Sequence, residues 1–266
     1  MKLKFLMTVA LVLCCCSGVV FGQGVTWLST TTSPMAGAKE IQMMSYYLPH
    51  MFKQSTDDNA TIFRLDKGLI IRVNKEKKEY SEMTFDELQA QVKEATGMLD
   101  SKMAEMKKNL DKMPPEQRKM VEQMMGDKLK GSSADRKVTV SKTSETSTIS
   151  GYPCTKYIVK ANDKDFATFW TTTGVKEFAS MKDDFKDFSQ RLASMVPSGG
   201  GTIAEAMKQI EGFPIQTSIS GLTSTVTKIE KGKISPSEFE PPTGYTKVKF
   251  ETLEDSMKGH RQKEKE

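Results

Sequence analysis

Beyond residue 22 the chain has few residues of the kinds that carry out chemistry. Its two histidines are His50 and His260, and Cys154 alone of the four cysteines lies beyond residue 22. A Cys-His or Ser-His nucleophilic pair would therefore have to use His50, which stands beside Pro49 in a strand-like run. Paired histidines, a CxxC spacing and an EF-hand loop do not occur in the sequence. The sequence thus predicts a protein that is not an enzyme and that uses no metal or cofactor.

Methionine is the unusual residue type of this chain. There are 18 methionines, many of them between residues 85 and 129. Thioether sulfur suits copper(I), and Met103 with Met106, or Met120 with Met124, would share one helical face. Methionine also fills irregular apolar gaps and adapts to varied partners. Methionines outside this segment favour general packing, and methionine-based copper(I) binding is kept as an alternative.

The first 22 residues have the order of a secretory signal peptide. Two lysines precede an apolar run from Phe5 to Val20, and a small residue, Gly22, stands just before Gln23. We therefore expect residues 1–22 to be removed and the protein to be exported, to the periplasm or the extracellular medium. Lipid attachment in the apolar run is the less favoured alternative, because the residue before a lipidated cysteine is usually small. The candidate positions for it are Cys14, Cys15 and Cys16.

Charge and hydropathy limit the partners. The net charge of +5 is too small and too scattered to indicate nucleic acid. No apolar run beyond the leader approaches the ~18 residues of a membrane helix, so we expect no integral membrane segment after processing. With Cys154 alone, the processed chain has no intramolecular disulfide. The partners that remain are a lipid or lipoprotein acyl chain and an envelope protein.

Alternating apolar residues indicate strands in three parts of the chain. Strands 61–65 and 69–73 flank the turn Asp66-Lys67-Gly68, 79–83 follows a charged turn, and Pro49 marks an edge or bend within 46–52. In a first strand, Val25, Trp27 and Ser29 share one face. Further strands are predicted around 138–140, 157–159 and 166–170, and as a hairpin, 215–219 and 222–229, around Ser220-Gly221.

Two segments change to helical spacing. In the first insert, about 85–130, a helix runs to Met113, is broken by Pro114-Pro115 and is followed by a second helix. The second insert, about 175–211, has an apolar stripe, a glycine-rich linker and a short helix capped by Thr202 with Glu205. The stripe consists of Phe178, Met181, Phe185, Phe188 and Leu192.

These elements predict an α+β fold in a single domain from 23 to 254. The expected architecture is a curved antiparallel sheet whose concave face is covered by the amphipathic helical inserts. Residues 255–266 are charged and lack apolar spacing, which is typical of a disordered tail.

Four short segments, in order, resemble a known family. They are 149–157 (ISGYPCTKY), 169–172 (FWTT), 212–215 (GFPI) and 239–245 (FEPPTGY). The series is similar to a bacterial family of exported domains of unknown function, which itself resembles the lipoprotein-carrier (LolA/LolB-like) proteins. The resemblance implies a half-barrel with an apolar cavity between sheet and helices, and it implies no established activity. The methionine-rich hairpin and the helices between 172 and 212 depart from the family pattern.

The residues of these segments also have a structural interpretation. Gly151-Tyr152 and Gly244-Tyr245 are typical of turn glycines followed by packing tyrosines. Cys154 has the character of a buried small apolar residue, and a buried thiol is inert.

The sequence leaves three functional hypotheses. The first is a non-enzymatic exported protein that binds or carries a lipid or other apolar ligand in a cavity between sheet and helices. The second is a structural or interaction protein of the cell envelope with a filled core, and the third is copper(I) binding. The residues expected to line the helix–sheet interface are Met103, Met106, Leu110, Met124, Trp170, Phe178 and Phe185.

Overall fold

A computed structural model of the protein describes residues 22–35, 37–114, 116–118, 137–193 and 200–250. The predicted leader up to residue 21, with its cysteines, lies outside these ranges. So do the charged tail and most of the second helix of the first insert. All of these stay predictions.

The described residues form one sheet of twelve strands. In chain order the strands are β1 (Gly22–Thr32), β2 (Ile41–Leu48), β3 (Met51–Ser55), β4 (Asn59–Arg64), β5 (Leu69–Asn74), β6 (Glu79–Thr84), β7 (Val138–Ile149), β8 (Tyr152–Ala161), β9 (Lys164–Thr172), β10 (Phe213–Ile219), β11 (Leu222–Ile234) and β12 (Thr246–Lys247). Across the sheet they follow the order β12-β6-β5-β4-β3-β2-β1-β11-β10-β9-β8-β7. All neighbours are antiparallel except β12, which runs parallel to β6. The sheet is open, with β12 and β7 at its edges, and with its helices it confirms the α+β class.

Strand β1 joins the two halves of the sheet. It pairs with β2 on one side and with β11 on the other, from Gly22 opposite Ile234 to Thr32 opposite Thr223. Gly24 allows this close approach, since a Cβ there would lie 2.5 Å from Ile234 Cδ1 and 2.6 Å from the Tyr47 carbonyl oxygen. The prediction that Val25, Trp27 and Ser29 share a face is confirmed, because all three are buried on alternate positions.

The helices are α1 (Phe85–Asp111), α2 (Phe178–Ala193) and α3 (Gly200–Gln209). They fall in the two ranges where the spacing of apolar residues predicts helical inserts. A capping box begins α1: Glu87 N donates to Thr84 Oγ1 at 3.1 Å, and Thr84 N donates to Glu87 Oε2 at 2.8 Å. Within the described ranges, no helix combines the length and the apolar character needed to cross a bilayer.

The predicted capping box of the short second-insert helix is wrong. Helix α3 begins at Gly200, so Thr202 lies inside it, 2% exposed, and its hydroxyl has no hydrogen-bond partner within the described residues. Glu205 pairs instead with Lys208, one turn later, at 2.6 Å. The glycines preceding Thr202 adopt helical conformation because Ala204, Ala206 and Ile210 bury the opposite side of this helix.

The helices pack on one face of the sheet. Cross-strand pairing places Val25, Tyr47, Phe52, Phe63 and Ile70 side by side, and residues of α1 and α2 pack against them. The helical residues in this core are Phe85, Val92, Phe178 and Met181. The same face continues from Thr31 through Ser224 and Thr217 to Phe169, which α3 covers with Ala206 and Ile210.

The opposite face is covered near β3 and β4 by the 3₁₀ turn Pro236–Phe239. Phe239 is fully buried there against Leu48, Ile62 and Ile71. Arg64 fixes the turn in place. Its guanidinium donates to both carboxylate oxygens of Asp66, at 2.9 and 2.7 Å, and also contacts Glu240. The hydrogen bond from Arg64 lowers the pKa of Asp66, so this carboxylate stays ionised and keeps the buried guanidinium paired.

Candidate functional site

An aromatic cluster fills the space between the sheet and α2. We use this name for Trp27, Phe52, Phe63, Phe185 and Phe188, which come from β1, β3, β4 and α2. Ring centroids lie 5.7 Å apart for Trp27–Phe52, 5.6 Å for both Phe52–Phe185 and Phe52–Phe188, and 4.6 Å for Phe63–Phe188. Offset and edge-to-face pairs of this kind add about 0.5–1.5 kcal/mol each to the stabilisation from burial.

The predicted lining residues fall into three groups. Phe178 is buried in the core next to this cluster, and Phe185 and Trp170 are partly buried against the same core. Leu110 is buried and Met106 half-buried on α1, neither of them among the residues of that core. The side chains of Met103 and Met124 lie outside the described residues. The structure thus brings Phe178, Phe185 and Trp170 to one core.

Little room remains at this interface. The cavity between α2 and the sheet has a volume of about 10 Å³ and is lined by Tyr47, Met51, Phe52, Leu65, Asp184, Phe185 and Phe188. One water molecule occupies about 30 Å³ in the liquid. An acyl chain could enter between α2 and the sheet only if the helix or the rings of the cluster moved.

Asp184 anchors the middle of α2 to the turn between β2 and β3. Its Oδ2 accepts hydrogen bonds from the Tyr47 hydroxyl at 2.8 Å and from the His50 backbone N–H at 2.7 Å. Its Oδ1 lies 2.8 Å from His50 Nδ1. His50 has a φ of 62°, in the left-handed region, and this conformation accompanies the presentation of both nitrogens to one carboxylate. Asp184 therefore holds α2 over the aromatic cluster.

The polar groups at this anchor serve positioning. Within the described residues, the hydrogen bonds of His50 go to Asp184 and, through its carbonyl oxygen, to Leu65. The Tyr47 ring is buried and stacks on Phe185 at 6.4 Å. Burial, and then the hydrogen bond to Asp184, raise the pKa of Tyr47 well above its ordinary value of 10.0. Tyr47 therefore stays protonated and donates to Asp184 throughout the neutral range.

Cys154 behaves as the structural interpretation predicts. It is 2% exposed and belongs to the same core as Trp27 and Phe178. Burial raises the pKa of its thiol, so the thiolate form that a nucleophile requires is disfavoured. The turn glycines of the four segments also take structural positions: Gly151 and Gly244 both have a φ of 82°, and Tyr152 and Tyr245 pack against cores. No group of three or more His, Cys, Asp or Glu side chains able to hold a metal occurs in the described part of the chain.

Asp184 was missed in the sequence, although a signal for it exists. It lies three residues after Met181 and four before Phe188, so it interrupts the apolar stripe of α2 on the buried side. A carboxylate at such a position requires a hydrogen-bond donor from the sheet. Its donors, Tyr47 and His50, are more than 130 residues away in the chain and could not be identified from the pattern.

The chain belongs to the family of the domain of unknown function DUF4412, whose model matches residues 111–245. This confirms the predicted membership in a domain-of-unknown-function family; the likeness to lipoprotein carriers stays a prediction. No curated protein matches the sequence.

Among solved structures, the chain is similar to PNGF-II in two crystal forms, at 10% identity and TM-scores of 0.40 and 0.39. The alignments cover 89% and 91% of this chain but 32% and 34% of those chains. The chain thus spans about a third of the length of PNGF-II.

The Tyr47–Asp184 contact predicts a specific alkaline sensitivity. Because the pKa of Tyr47 is raised on folding, the unfolded chain loses this proton first as the pH rises. The stabilisation is therefore fully present below about pH 10 and falls above it, by at most ~1.4 kcal/mol per pH unit. Urea unfolding from about pH 8 to pH 11 measures this slope.

Tyr47→Phe is the matched variant, since it keeps the ring that stacks on Phe185 and removes only the ionisable hydroxyl. We expect it to be less stable at neutral pH by about 1 kcal/mol and to lose stability less steeply above pH 10. Equal alkaline slopes in the two proteins would show that Tyr47 does not titrate in this contact.

Proposed function

We propose that this protein is an exported, non-enzymatic interaction protein of the cell envelope, whose helix–sheet interface is a filled core. The observation that carries the proposal is the space of about 10 Å³ under α2, bounded by aromatic rings in mutual contact. The burial of Cys154 and the positioning role of His50 support the non-enzymatic part. The signal-peptide pattern of residues 1–22 supports export.

Native mass spectrometry of the protein purified from its export compartment tests this proposal. We expect the mass of residues 23–266 without an adduct, before and after solvent extraction. A bound mass that solvent extraction releases as lipid would contradict the filled core and establish a carrier. A mass that retains residues 1–22 would contradict processing after Gly22.

A second candidate is the carrier of an apolar ligand in a half-barrel similar to the lipoprotein carriers. It is favoured by one observation: Phe185 and Phe188 are only partly buried, and α2 is tied to the β2–β3 turn through a single side chain, Asp184. In this mechanism α2 moves away from the sheet and the ligand replaces the contacts between α2 and Phe52. Copper(I) binding stays a prediction, because the side chains of Met103 and Met124 lie outside the described residues.

Uptake of the apolar dye N-phenylnaphthylamine separates the two candidates. A filled core predicts no saturable dye binding by the wild-type protein. A carrier gated by α2 predicts saturable binding that becomes tighter in Asp184→Ala, because that variant releases the helix. Asp183→Ala is the control, since Asp183 is the exposed neighbour on the same helix. Tighter binding by both variants would indicate general loosening of the protein and would count against a gate at Asp184.

A further inference from the structure

The helix-facing side of β4, β5 and β6 changes from apolar to polar along the strands. Phe63, Ile70 and Met83 form one cross-strand row, which is buried. Two residues further along, the next row on the same face is Thr61, Arg72 and Ser81. The row after that is Asn59, Asn74 and Glu79. The two polar rows lie beyond the end of the sheet that the aromatic cluster covers.

These polar rows line an open groove of about 730 Å³. Its wall is the segment after β12, which contributes Val248, Lys249 and Phe250. This segment is held in place by the hydrogen bond from Val248 N to the Tyr80 carbonyl at 2.8 Å and by the burial of Phe250, which is 6% exposed. The volume lies within the range of roughly 300–1,000 Å³ that small-molecule sites occupy.

The charges of the groove are mainly positive. Arg72, Lys77 and Lys249 line it together with one carboxylate, Glu79. The guanidinium carbon of Arg72 lies 4.3 Å from the centre of the Phe250 ring, a contact that restricts the orientation of the arginine, and the side chain remains exposed to solvent. A stacked guanidinium is well suited to recognise phosphate or carboxylate.

The polar neutral residues of the groove add hydrogen-bonding groups around these cations. Thr61 and Ser81 carry hydroxyls on either side of Arg72 in the same row. The Asn74 side chain fixes the adjoining turn, because its Oδ1 accepts from Lys77 N at 2.8 Å, and this places Lys77 at the rim. Cations beside hydroxyl groups at the floor of one groove match a ligand that has both an anionic group and hydroxyls.

We propose that this groove, lined by Thr61, Arg72, Asn74, Lys77, Ser81 and Lys249, binds the phosphate group of a hydroxyl-bearing ligand. Two sources supply this chemistry: a free phosphate monoester, and the headgroup of an anionic phospholipid in a membrane surface. The groove lies apart from the aromatic cluster, so this inference does not depend on whether the space under α2 is filled. A lipid-free native mass leaves the groove proposal standing, and a failure of the groove leaves the filled core standing.

Titration with glycerol 3-phosphate, and with vesicles of phosphatidylglycerol against vesicles of phosphatidylcholine, tests the proposal. We expect saturable binding of at least one anionic probe and none to phosphatidylcholine. Binding of glycerol 3-phosphate identifies a soluble ligand, and binding of phosphatidylglycerol vesicles alone identifies a lipid headgroup. Absence of saturable binding to both anionic probes would overturn the proposal.

Variants show whether the binding belongs to the groove. Lys77→Gln and Lys249→Gln should each weaken binding about tenfold, as expected for the loss of one charged hydrogen bond. Arg72→Lys keeps the charge but loses the planar stacked group, and should weaken binding by several-fold. Lys228→Gln is the matched control on β11, outside the groove, and should leave affinity unchanged. Equal weakening by Lys77→Gln and Lys228→Gln would show general charge attraction and overturn the site. Thermal unfolding of each variant confirms that it is folded.

Discussion

The structure depends on the pairing of β1 with both β2 and β11. This strand comes first in the described chain and lies between strands that are near it in sequence and strands about 200 residues away. Without it, the sheet would separate into β2–β6 with β12 and β7–β11. Gly24 makes the close pairing possible, because any side chain at this position would meet Ile234 and the Tyr47 carbonyl.

The aromatic cluster follows from this pairing. Trp27 of β1 contacts Phe52 from the first half of the sheet and, at 5.5 Å, Phe213 from the second half. Helix α2 rests on both, since Phe178 contacts Phe213 and Phe188 contacts Phe63. Neither half of the sheet alone provides the surface that α2 covers. Asp184 then adds a polar anchor that fixes the helix in one position on this joint surface.

The extent of the family match has a structural meaning in this light. Residues 111–245 include β7–β11, α2, α3 and the 3₁₀ turn, whereas β1–β6 lie before the match. In this protein the matched segment therefore shares its core with strands outside it. Phe185 and Phe188 of α2 rest on Phe52 and Phe63, which belong to those earlier strands.

The sequence predicts the local elements well because their signals are local. The turn at residues 66–68 and the alternation around it identify β4 and β5, and three- and four-residue spacing identifies α1 and α2. The order of strands is not predictable in this way, because the partners of β1 are chosen by packing across the whole chain. The same reason hides Asp184, whose donors come from a distant turn, and the polar groove, which exists only when three strands and the segment after β12 are in register. The cap at Thr202 was mistaken because burial of the alanine face of α3 outweighs a local capping pattern.

The function that emerges is binding without catalysis, with the core filled by aromatic rings and the polar groups of α2 used to position it. Its premise is that both halves of the sheet form one cooperative unit through β1. Native-state hydrogen exchange of residues 23–266 measures this most directly. The account predicts that amides of β1, β4 and β9 exchange with the same free energy, equal to that of global unfolding. Exchange of β9 at a clearly lower free energy than β4, with β1 following only one of them, would show two independently stable halves and contradict it.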